Sequence, residues 1–219
     1  MKVIKNGKRQ ARVEGVRRPR LIVALAGSPG SGKTTAAGHV AARVNQLMGT
    51  PHSALVMSID GFHLPRSTLD ALPNREEAYA RRGAHWTFDA AAAVAFILRS
   101  RARTLLSAPT FDHAKKDPVA DGLKIPAETS ILILEGNYLL CDLAPWSEIA
   151  AFVDEKWFIM VDPELARRRV AARHVRACIE PDLDKALKRV DGNDALNGQW
   201  INEHRVECDV VVESVEDIE

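Results

Sequence analysis

Short apolar segments alternate with longer helical patterns along this chain of 219 residues. Five segments are apolar almost throughout and are predicted to be strands: residues 21–26, 54–59, 131–134, 157–161 and 209–212. Helical patterns lie between them, at residues 33–48, 89–101, 163–177 and 183–189. Strands that are apolar on both faces, alternating with helices, predict a mostly parallel, five-stranded, doubly wound α/β sheet with helices on both faces.

A glycine-rich loop joins the first predicted strand to the first predicted helix. Residues 27–34, Gly-Ser-Pro-Gly-Ser-Gly-Lys-Thr, match the phosphate-loop (P-loop) pattern G-x-x-x-x-G-K-[ST] in full. In such a loop Lys33 reaches the β and γ phosphates, and the Thr34 hydroxyl can bind Mg²⁺. The predicted nucleotide-binding residues are Gly27, Ser28, Gly30, Ser31, Gly32, Lys33, Thr34 and Thr35. A glycine turn that merely connects the two elements is the alternative, but the full match favours a P-loop NTPase that binds ATP and Mg²⁺.

Two carboxylates follow predicted strands, at the edge where ligands of such sheets bind. Asp60 follows the second strand and is predicted to orient an acceptor hydroxyl and take its proton, as phosphoryl transfer requires. Phe62 and His63 come next and are expected to line a substrate pocket. Glu135 ends the third strand and is predicted to hold Mg²⁺ together with Thr34. Alternatively, Asp60 caps the following loop, and Glu135 pairs with an arginine.

Three arginines recur on one face of the helix predicted at residues 163–177. Arg169, Arg173 and Arg176 have the spacing i, i+4 and i+7, so their guanidinium groups share that face. Next to a phosphate loop this face is predicted to bind anions, because an arginine can stabilise a phosphoryl group during transfer. A merely solvated helix face is the alternative.

Composition and charge indicate one globular domain. Hydrophobic residues make up 46% of the chain and charged residues 27%, with a formal net charge of +1. Residues 1–20 carry eight Lys or Arg against one acid, which leaves 22 basic and 28 acidic residues in the remainder. We therefore divide the chain into a basic arm or hairpin at residues 1–20 and a P-loop kinase domain at residues 21–219. Neither nucleic acid nor a membrane is expected as a partner of the domain.

The three cysteines lie far apart, with no spacing typical of a zinc site or a disulfide framework. No apolar run approaches the roughly 20 residues that span a bilayer, and the N-terminal segment lacks an apolar signal core. A cytoplasmic protein is the prediction.

Further segments resemble the phosphoribulokinase and uridine kinase family, which includes type I pantothenate kinases. Beyond the loop they are Ile-Asp-Gly-Phe-His at residues 59–63, Arg-Gly-Ala-His-Trp-Thr-Phe-Asp at 82–89, Pro-Thr-Phe-Asp-His at 109–113, Leu-Glu-Gly-Asn-Tyr at 134–138 and Arg-His-Val at 173–175. The likeness runs from residue 21 to about residue 197. The set looks most similar to bacterial proteins described as nucleoside or nucleotide kinase-like, or as kinases linked to fructose transport.

The resemblance implies a role for each matching residue. Asp60 would be the base and Glu135 the second acid, while Arg169 and Arg173 would be arginines of a small lid. The implied acceptor pocket contains Asp60, Phe62, His63, Arg82, His85, Asp112, His113, Tyr138 and Arg176. For Arg82 and His85, an ordinary turn before a helix is the alternative. Asn197 falls where the family places a loop near the nucleotide base, with plain turn chemistry as the alternative.

Departures from the family pattern leave the acceptor open. Gly61 and His63 stand where uridine kinases usually carry Ser and Tyr, and the late aromatic region of pantothenate kinases is reduced to Trp200. The prediction is therefore an ATP-dependent, Mg²⁺-requiring kinase that phosphorylates a hydroxyl of a sugar, a nucleoside or a pantothenate-like alcohol. A P-loop ATPase that acts as a switch or assembly factor is the rival prediction, although no Asn-Lys-x-Asp motif or strand ending in Asp-Glu supports it. A homodimer is left open.

Overall fold

The structure, a computed structural model, describes residues 18–216. Its strands are β1 (Leu21–Gly27), β2 (Ala54–Ser58), β3 (Leu106–Asp112), β4 (Asp117–Ile125), β5 (Ile131–Glu135), β6 (Glu155–Val161) and β7 (Val210–Ser214). Its α-helices are α1 (Lys33–Met48), α2 (Arg66–Asp70), α3 (Arg75–Ala80), α4 (Ala90–Ser100), α5 (Ser147–Phe152), α6 (Pro163–Arg176), α7 (Leu183–Arg189) and α8 (Ala195–Glu203). The predicted arm or hairpin of residues 1–20 lies, except for residues 18–20, outside the described part of the chain.

Five parallel strands form the main sheet, in the order β2–β5–β1–β6–β7. β1 is central: Leu21 pairs with Ile131 of β5, and Val23 pairs with Glu155 of β6. The chain runs from β1 to the edge strand β2, returns to insert β5 between them, and then crosses to add β6 and β7 on the other side. Because all the pairs are parallel, the carboxyl ends of the five strands meet at one edge. This confirms the predicted mostly parallel, five-stranded α/β sheet.

Side chains of β1 alternate between two cores, one on each face of the sheet. Ile22, Ala24 and Ala26 pack in the larger cluster with residues of α4 and α5. Val23 and Leu25 pack in a second cluster against α1. Burial on both faces explains why β1 is apolar throughout.

A β-hairpin separate from the main sheet was missed by the sequence analysis. β3 and β4 pair antiparallel, with Leu106 opposite Ile125 and Asp112 opposite Asp117. Most of β4 is exposed, and its sequence contains Pro118 and Gly122, residues that are uncommon inside strands. A half-solvated, polar hairpin therefore lacks the apolar run on which the strand prediction relied.

Helices α6 and α7 build a small core of their own. Val170 and Ala171 of α6 pack with Ala186 of α7 and with Val190, the first residue of a π-helical turn that spans Val190–Asp194. Asp162 caps α6 by accepting a hydrogen bond from the backbone N–H of Leu165 at 2.9 Å. This unit stands beside the phosphate loop, as predicted for a small lid. Among residues 18–216, none of the helices is long and apolar enough to cross a membrane.

Candidate active site

The phosphate loop lies between the carboxyl end of β1 and the amino end of α1. Gly30 and Gly32 have positive φ angles of 81° and 87°, which residues with a Cβ atom rarely adopt. A Cβ atom on Gly30 would also lie 2.7 Å from the carbonyl oxygen of Ala166. The course of the loop therefore requires glycine, and its outer surface packs against α6.

Several groups of the loop fit a triphosphate. The Ser31 hydroxyl is buried and has no hydrogen-bond partner within the described chain. Because α1 begins at Lys33, the backbone N–H groups of Lys33, Thr34 and Thr35 belong to its first turn and have no intrahelical acceptor. Amide groups at a helix amino end, together with the positive end of the helix dipole, favour phosphate.

The ammonium group of Lys33 lies inside the loop, where it donates a hydrogen bond of 3.2 Å to the carbonyl oxygen of Ser28. Although part of the residue is accessible, the ammonium itself is desolvated, and this lowers its pKa to about 8. The carboxylates of Glu135 and Asp60 oppose the shift, while the Arg173 guanidinium reinforces it. All three charged groups therefore lie near enough to act on the same ammonium group.

The two predicted metal ligands are in direct contact. The Thr34 hydroxyl donates a hydrogen bond of 3.0 Å to Oε2 of Glu135, and Glu135 is 4% exposed at the end of β5. A hydroxyl and a carboxylate provide the hard oxygen ligands that Mg²⁺ prefers, with phosphate oxygens and water completing its shell. Among residues 18–216, no group of three or more His, Cys, Asp and Glu side chains is suited to a metal. The Thr34–Glu135 pair fits a metal that is bound jointly with nucleotide.

Asp60 lies in a short 3₁₀ turn, Ile59–Phe62, that directly follows β2. Its side chain is 44% exposed, so the carboxylate is accessible to a substrate while still acting on Lys33. The following residue, Gly61, is buried against the backbone of Pro109 in β3, and a Cβ atom there would overlap the Pro109 carbonyl group. Close packing of the hairpin on this glycine fixes the position of the Asp60 turn.

His63 connects the Asp60 turn to the hairpin. Its Nδ1 lies 2.8 Å from the carbonyl oxygen of Asp60, and its ring packs against Phe88 and Phe111, with centroids 3.9 and 4.9 Å away. Burial lowers the pKa of His63, although the Asp60 carboxylate acts in the opposite direction. His63 is therefore neutral at pH 7 and, with Nδ1 donating to the carbonyl oxygen, leaves Nε2 as an acceptor. His113 is exposed, and its ring centroid lies 5.3 Å from that of Phe111.

Arg82 fastens the hairpin to the rest of the site. Its guanidinium donates to the carbonyl oxygens of Lys116 at 2.7 Å and Leu64 at 3.1 Å, and lies 3.4 Å from a carboxylate oxygen of Asp117. Asp112 serves the hairpin as well, because its Oδ1 accepts hydrogen bonds from two backbone N–H groups in the turn, those of Ala114 and Lys115. The structure thus places Arg82 against the hairpin and Asp112 in its turn, where protein groups already engage both. Substrate contact for either stays a prediction.

Tyr138 and His85 belong to a cluster of aromatic rings that includes Trp200 of α8. The buried Tyr138 hydroxyl donates a hydrogen bond of 2.6 Å to the carbonyl oxygen of Gly83. The ring of His85 stacks on Trp200 of α8 with centroids 4.2 Å apart and planes 10° apart. Phe62, in contrast, points into the main core and packs against Phe96. Tyr138 and His85 therefore join the early loops to α8, and direct contact of these residues with substrate is untested.

Asn197 is buried at the amino half of α8, where both its amide oxygen and its amide nitrogen have protein partners. Its Oδ1 accepts a hydrogen bond of 3.0 Å from Arg81, and its Nδ2 lies 3.3 Å from Oδ1 of Asn193. The expected contact with the nucleotide base therefore gains no support from a free amide and stays a prediction. Sequence reasoning overlooked Arg81 altogether, although it directly precedes Arg82 in a segment that had been singled out.

The three arginines of α6 share one face, as their spacing predicts, but they differ in surroundings. Arg169 donates to Ser214 Oγ at the end of β7 at 2.8 Å, to the carbonyl oxygen of Val215 at 2.7 Å, and to the carbonyl oxygen of Gly30 in the phosphate loop at 3.4 Å. Arg173 is exposed and acts on Lys33, whereas Arg176 is exposed one turn further on. Arg173 thus lies where its charge acts on Lys33, while Arg169 joins α6 to the phosphate loop and to the end of β7.

A buried histidine–carboxylate pair beside these arginines was not foreseen either. His174 Nε2 lies 3.8 Å from Oδ2 of Asp194, and both side chains are largely buried. Burial lowers the pKa of His174 and raises that of Asp194, while their mutual attraction opposes both shifts. The pair connects α6 to the π-helical turn. Only the tertiary contact reveals it, because the two residues are 20 positions apart.

The parallel sheet, the loop around Lys33 and the carboxylates beside it define a P-loop kinase. Residues 22–177 match the sequence model of the phosphoribulokinase / uridine kinase family. The chain belongs to that family. This confirms the resemblance seen in the sequence, and membership implies ATP as the nucleotide, typically with Mg²⁺.

Individual relatives agree with this assignment. The chain is 37% identical over 198 residues to the Schizosaccharomyces pombe protein named "Putative uridine kinase C227.14", which covers 90% of this chain and 84% of the relative. It is 43% identical over 153 residues to the "ATP-dependent kinase-like protein notR'" of Aspergillus versicolor, across 68% of this chain and 89% of that one. Among solved structures, it is similar to a "putative fructose transport system kinase" from Silicibacter sp. TM1040, with a TM-score of 0.80, 30% identity, and coverage of 91% and 92%.

Proposed function

We propose that this protein transfers the γ-phosphoryl group of ATP to a hydroxyl group of a small metabolite. The observation that carries this proposal is the pair of carboxylates, Asp60 and Glu135, acting on the one ammonium group of Lys33 in the phosphate loop. An accessible carboxylate beside the terminal phosphate has the place of a base for an incoming alcohol. In this proposal the acceptor's hydroxyl group lies at the Asp60 carboxylate, next to His63, whose Nδ1 is 2.8 Å from the Asp60 carbonyl oxygen.

Different residues contribute to different parts of the proposed reaction. The acceptor oxygen attacks the γ-phosphorus as the bond to the β-phosphate bridging oxygen breaks, and the hydroxyl proton passes to the Asp60 carboxylate. Lys33 and Arg173 neutralise charge on the triphosphate, while the loop amides hold it in line. When bound, Mg²⁺ adds electrostatic stabilisation of the phosphates, and Thr34 and Glu135 would hold it. The products are ADP and a phosphorylated alcohol.

Replacement of Asp60 by Asn tests the assignment. In Asp60→Asn the amide cannot accept the proton, so we expect acceptor-dependent ADP release to fall about 10²- to 10⁴-fold, while nucleotide binding by titration calorimetry is retained. The acceptors are a panel of sugars, nucleosides and pantothenate, assayed with Mg²⁺ and ATP. Asp121→Asn is the matched control, because Asp121 is an exposed carboxylate on β4.

Two results would contradict the proposal. Normal turnover by Asp60→Asn on an identified acceptor would remove Asp60 from its role as the base. ADP release that is insensitive to every alcohol in the panel, but stimulated by a protein partner, would instead favour the rival ATPase switch.

A further inference from the structure

The π-helical turn Val190–Asp194 interrupts one long helix beside the active site. α7, this turn and α8 follow each other without a break from Leu183 to Glu203. The backbone N–H of Ala195 donates to the carbonyl oxygen of Val190, five residues earlier, so the turn contains one residue more than an α-helical turn. Such turns are rare and occur frequently at functional sites. A functional role is therefore expected for the side chains that this turn presents.

Of the two buried residues of the turn, Asn193 is the polar one. Its Nδ2 donates a hydrogen bond of 3.0 Å to the backbone carbonyl oxygen of Arg82, 111 positions earlier in the chain. Its Oδ1 accepts a hydrogen bond of 3.3 Å from Nδ2 of Asn197. The Arg81 guanidinium reinforces the contact, since it donates to Asn197 Oδ1 at 3.0 Å and to the carbonyl oxygen of Gly192 at 3.1 Å. These bonds hold Arg81 and Arg82 against the turn and the start of α8.

A series of contacts leads from Arg82 to the residues around the proposed base. The guanidinium carbon of Arg82 lies 5.5 Å from the ring centroid of Phe111, and the Phe111 ring is 4.9 Å from that of His63. His63 Nδ1 in turn lies 2.8 Å from the carbonyl oxygen of Asp60. The same guanidinium donates to the carbonyl oxygen of Leu64, directly after His63. The position of Arg82 therefore affects the surroundings of Asp60.

We propose that Asn193 is a positioning residue for the acceptor side of the active site. Arg82 follows α3 and lies outside regular secondary structure, so side-chain contacts such as the one from Asn193 restrain its backbone. By fixing this backbone, Asn193 keeps the guanidinium on Phe111 and beside His63, and the Asp60 carboxylate keeps its direction toward the acceptor hydroxyl. Asn193 acts through Arg82 and touches neither ATP nor the acceptor. This inference rests on the proposed function, because Asp60 is the base only in that proposal.

Two substitutions remove the hydrogen-bond donor of Asn193. Asn193→Asp keeps the size of the side chain and the acceptor for Asn197, but places an oxygen against the Arg82 carbonyl group. Asn193→Ala removes the whole amide group without burying a charge, so it serves if the first variant does not fold. Asp191→Asn is the matched control, because Asp191 is an exposed residue of the same turn that pairs with Arg167 of α6 instead, at 2.6 Å. Thermal unfolding verifies that each variant folds.

The first measurement is the pKa of His63, obtained by NMR titration of protein with 13C-labelled histidine and assigned with His63→Gln. Burial lowers the pKa of His63, and the positive charge of Arg82 acts in the same direction. Release of Arg82 in the Asn193 variants should therefore raise the pKa of His63 toward its ordinary value of about 6.5, whereas Asp191→Asn should leave it unchanged. An unchanged pKa in a folded Asn193 variant, or an equal rise in Asp191→Asn, would overturn the inference. This readout needs no acceptor.

The second measurement is steady-state kinetics with an alcohol of the panel that stimulates ADP release. Asn193→Ala should lower kcat/KM for the alcohol about tenfold, while KM for ATP stays within about twofold of the wild-type value. In an Arg82→Ala background the same substitution should have almost no further effect, because the guanidinium through which Asn193 acts is already absent. A full additional loss in that background, or equal losses for ATP and the alcohol, would overturn the positioning role. If no alcohol stimulates the wild type, the kinase proposal itself is contradicted, and the His63 titration still decides whether Asn193 positions Arg82.

Discussion

The lowered pKa of Lys33 makes nucleotide affinity depend on pH in a range where ATP itself is fully ionised. In the free protein this pKa is about 8, and the negative triphosphate raises it in the complex because opposite charge favours the ammonium form. Binding therefore requires uptake of a proton above that pH. Affinity is therefore greatest well below pH 8 and decreases as pH rises through that value.

The size of the effect follows from the protonated fraction of Lys33. With a pKa of about 8, roughly nine-tenths of the protein carries the ammonium at pH 7 and roughly one-tenth at pH 9. The association constant for ATP should thus fall about tenfold between these two pH values. Titration calorimetry in buffers of different ionisation enthalpy measures both the affinity and the proton uptake.

Two arginines of α6 provide a test variant and a control for this pH dependence. Arg173 lowers the pKa of Lys33, so Arg173→Gln should move the midpoint of the affinity profile to higher pH. Arg176→Gln removes an exposed arginine from the same helix and should leave the midpoint unchanged. An affinity that is constant between pH 7 and pH 9 in the wild type would refute the reasoning, as would an equal shift in both variants.

Three further substitutions test how the site is held. Arg20 is fully buried and donates to five backbone carbonyl oxygens, those of Thr129, Ser100, Ala102, Thr104 and Pro126. Arg20→Met should therefore lower the free energy of unfolding, measured in urea, by about 3 kcal/mol or more. A decrease as small as that of the exposed control Arg18→Met would contradict this. Tyr138→Phe leaves the Gly83 carbonyl oxygen without its donor and should lower the free energy of unfolding by about 1 kcal/mol, and an unchanged Tm would contradict it. Gly61→Ala forces β3 away from the Asp60 turn at a cost of about 1–3 kcal/mol in the free energy of unfolding. It should reduce acceptor turnover while ATP binding persists. Normal turnover would show that the contact between Gly61 and β3 does not position Asp60.

Features encoded locally were predictable from the order of residues. The bounds predicted for the first helix and for residues 183–189 agree with α1 and α7, because glycine, proline and capping residues mark their ends. Lys33 and Thr34 follow from loop spacing alone, and Asp60 and Glu135 from their places after apolar strands. In each of these cases, a short stretch of chain contains both the structural signal and the chemistry.

Features that depend on distant contacts were not predictable in this way. The hairpin of β3 and β4 is positioned by Gly61, by Arg82 and by scattered core residues such as Ala108 and Ile125, which do not form a continuous apolar run in the sequence. Asn197 and Asp112 look like free ligand groups in the sequence, yet Arg81 and the hairpin turn engage them. The cavity of about 470 Å³ between α6 and α8 is lined by residues of the phosphate loop, β6, α6 and α8. These segments lie far apart in the sequence, so no single segment predicts the cavity. Periodicity and motif spacing act within tens of residues, whereas pKa values, hydrogen-bond partners and cavities arise only when packing brings remote side chains within a few ångströms of one another.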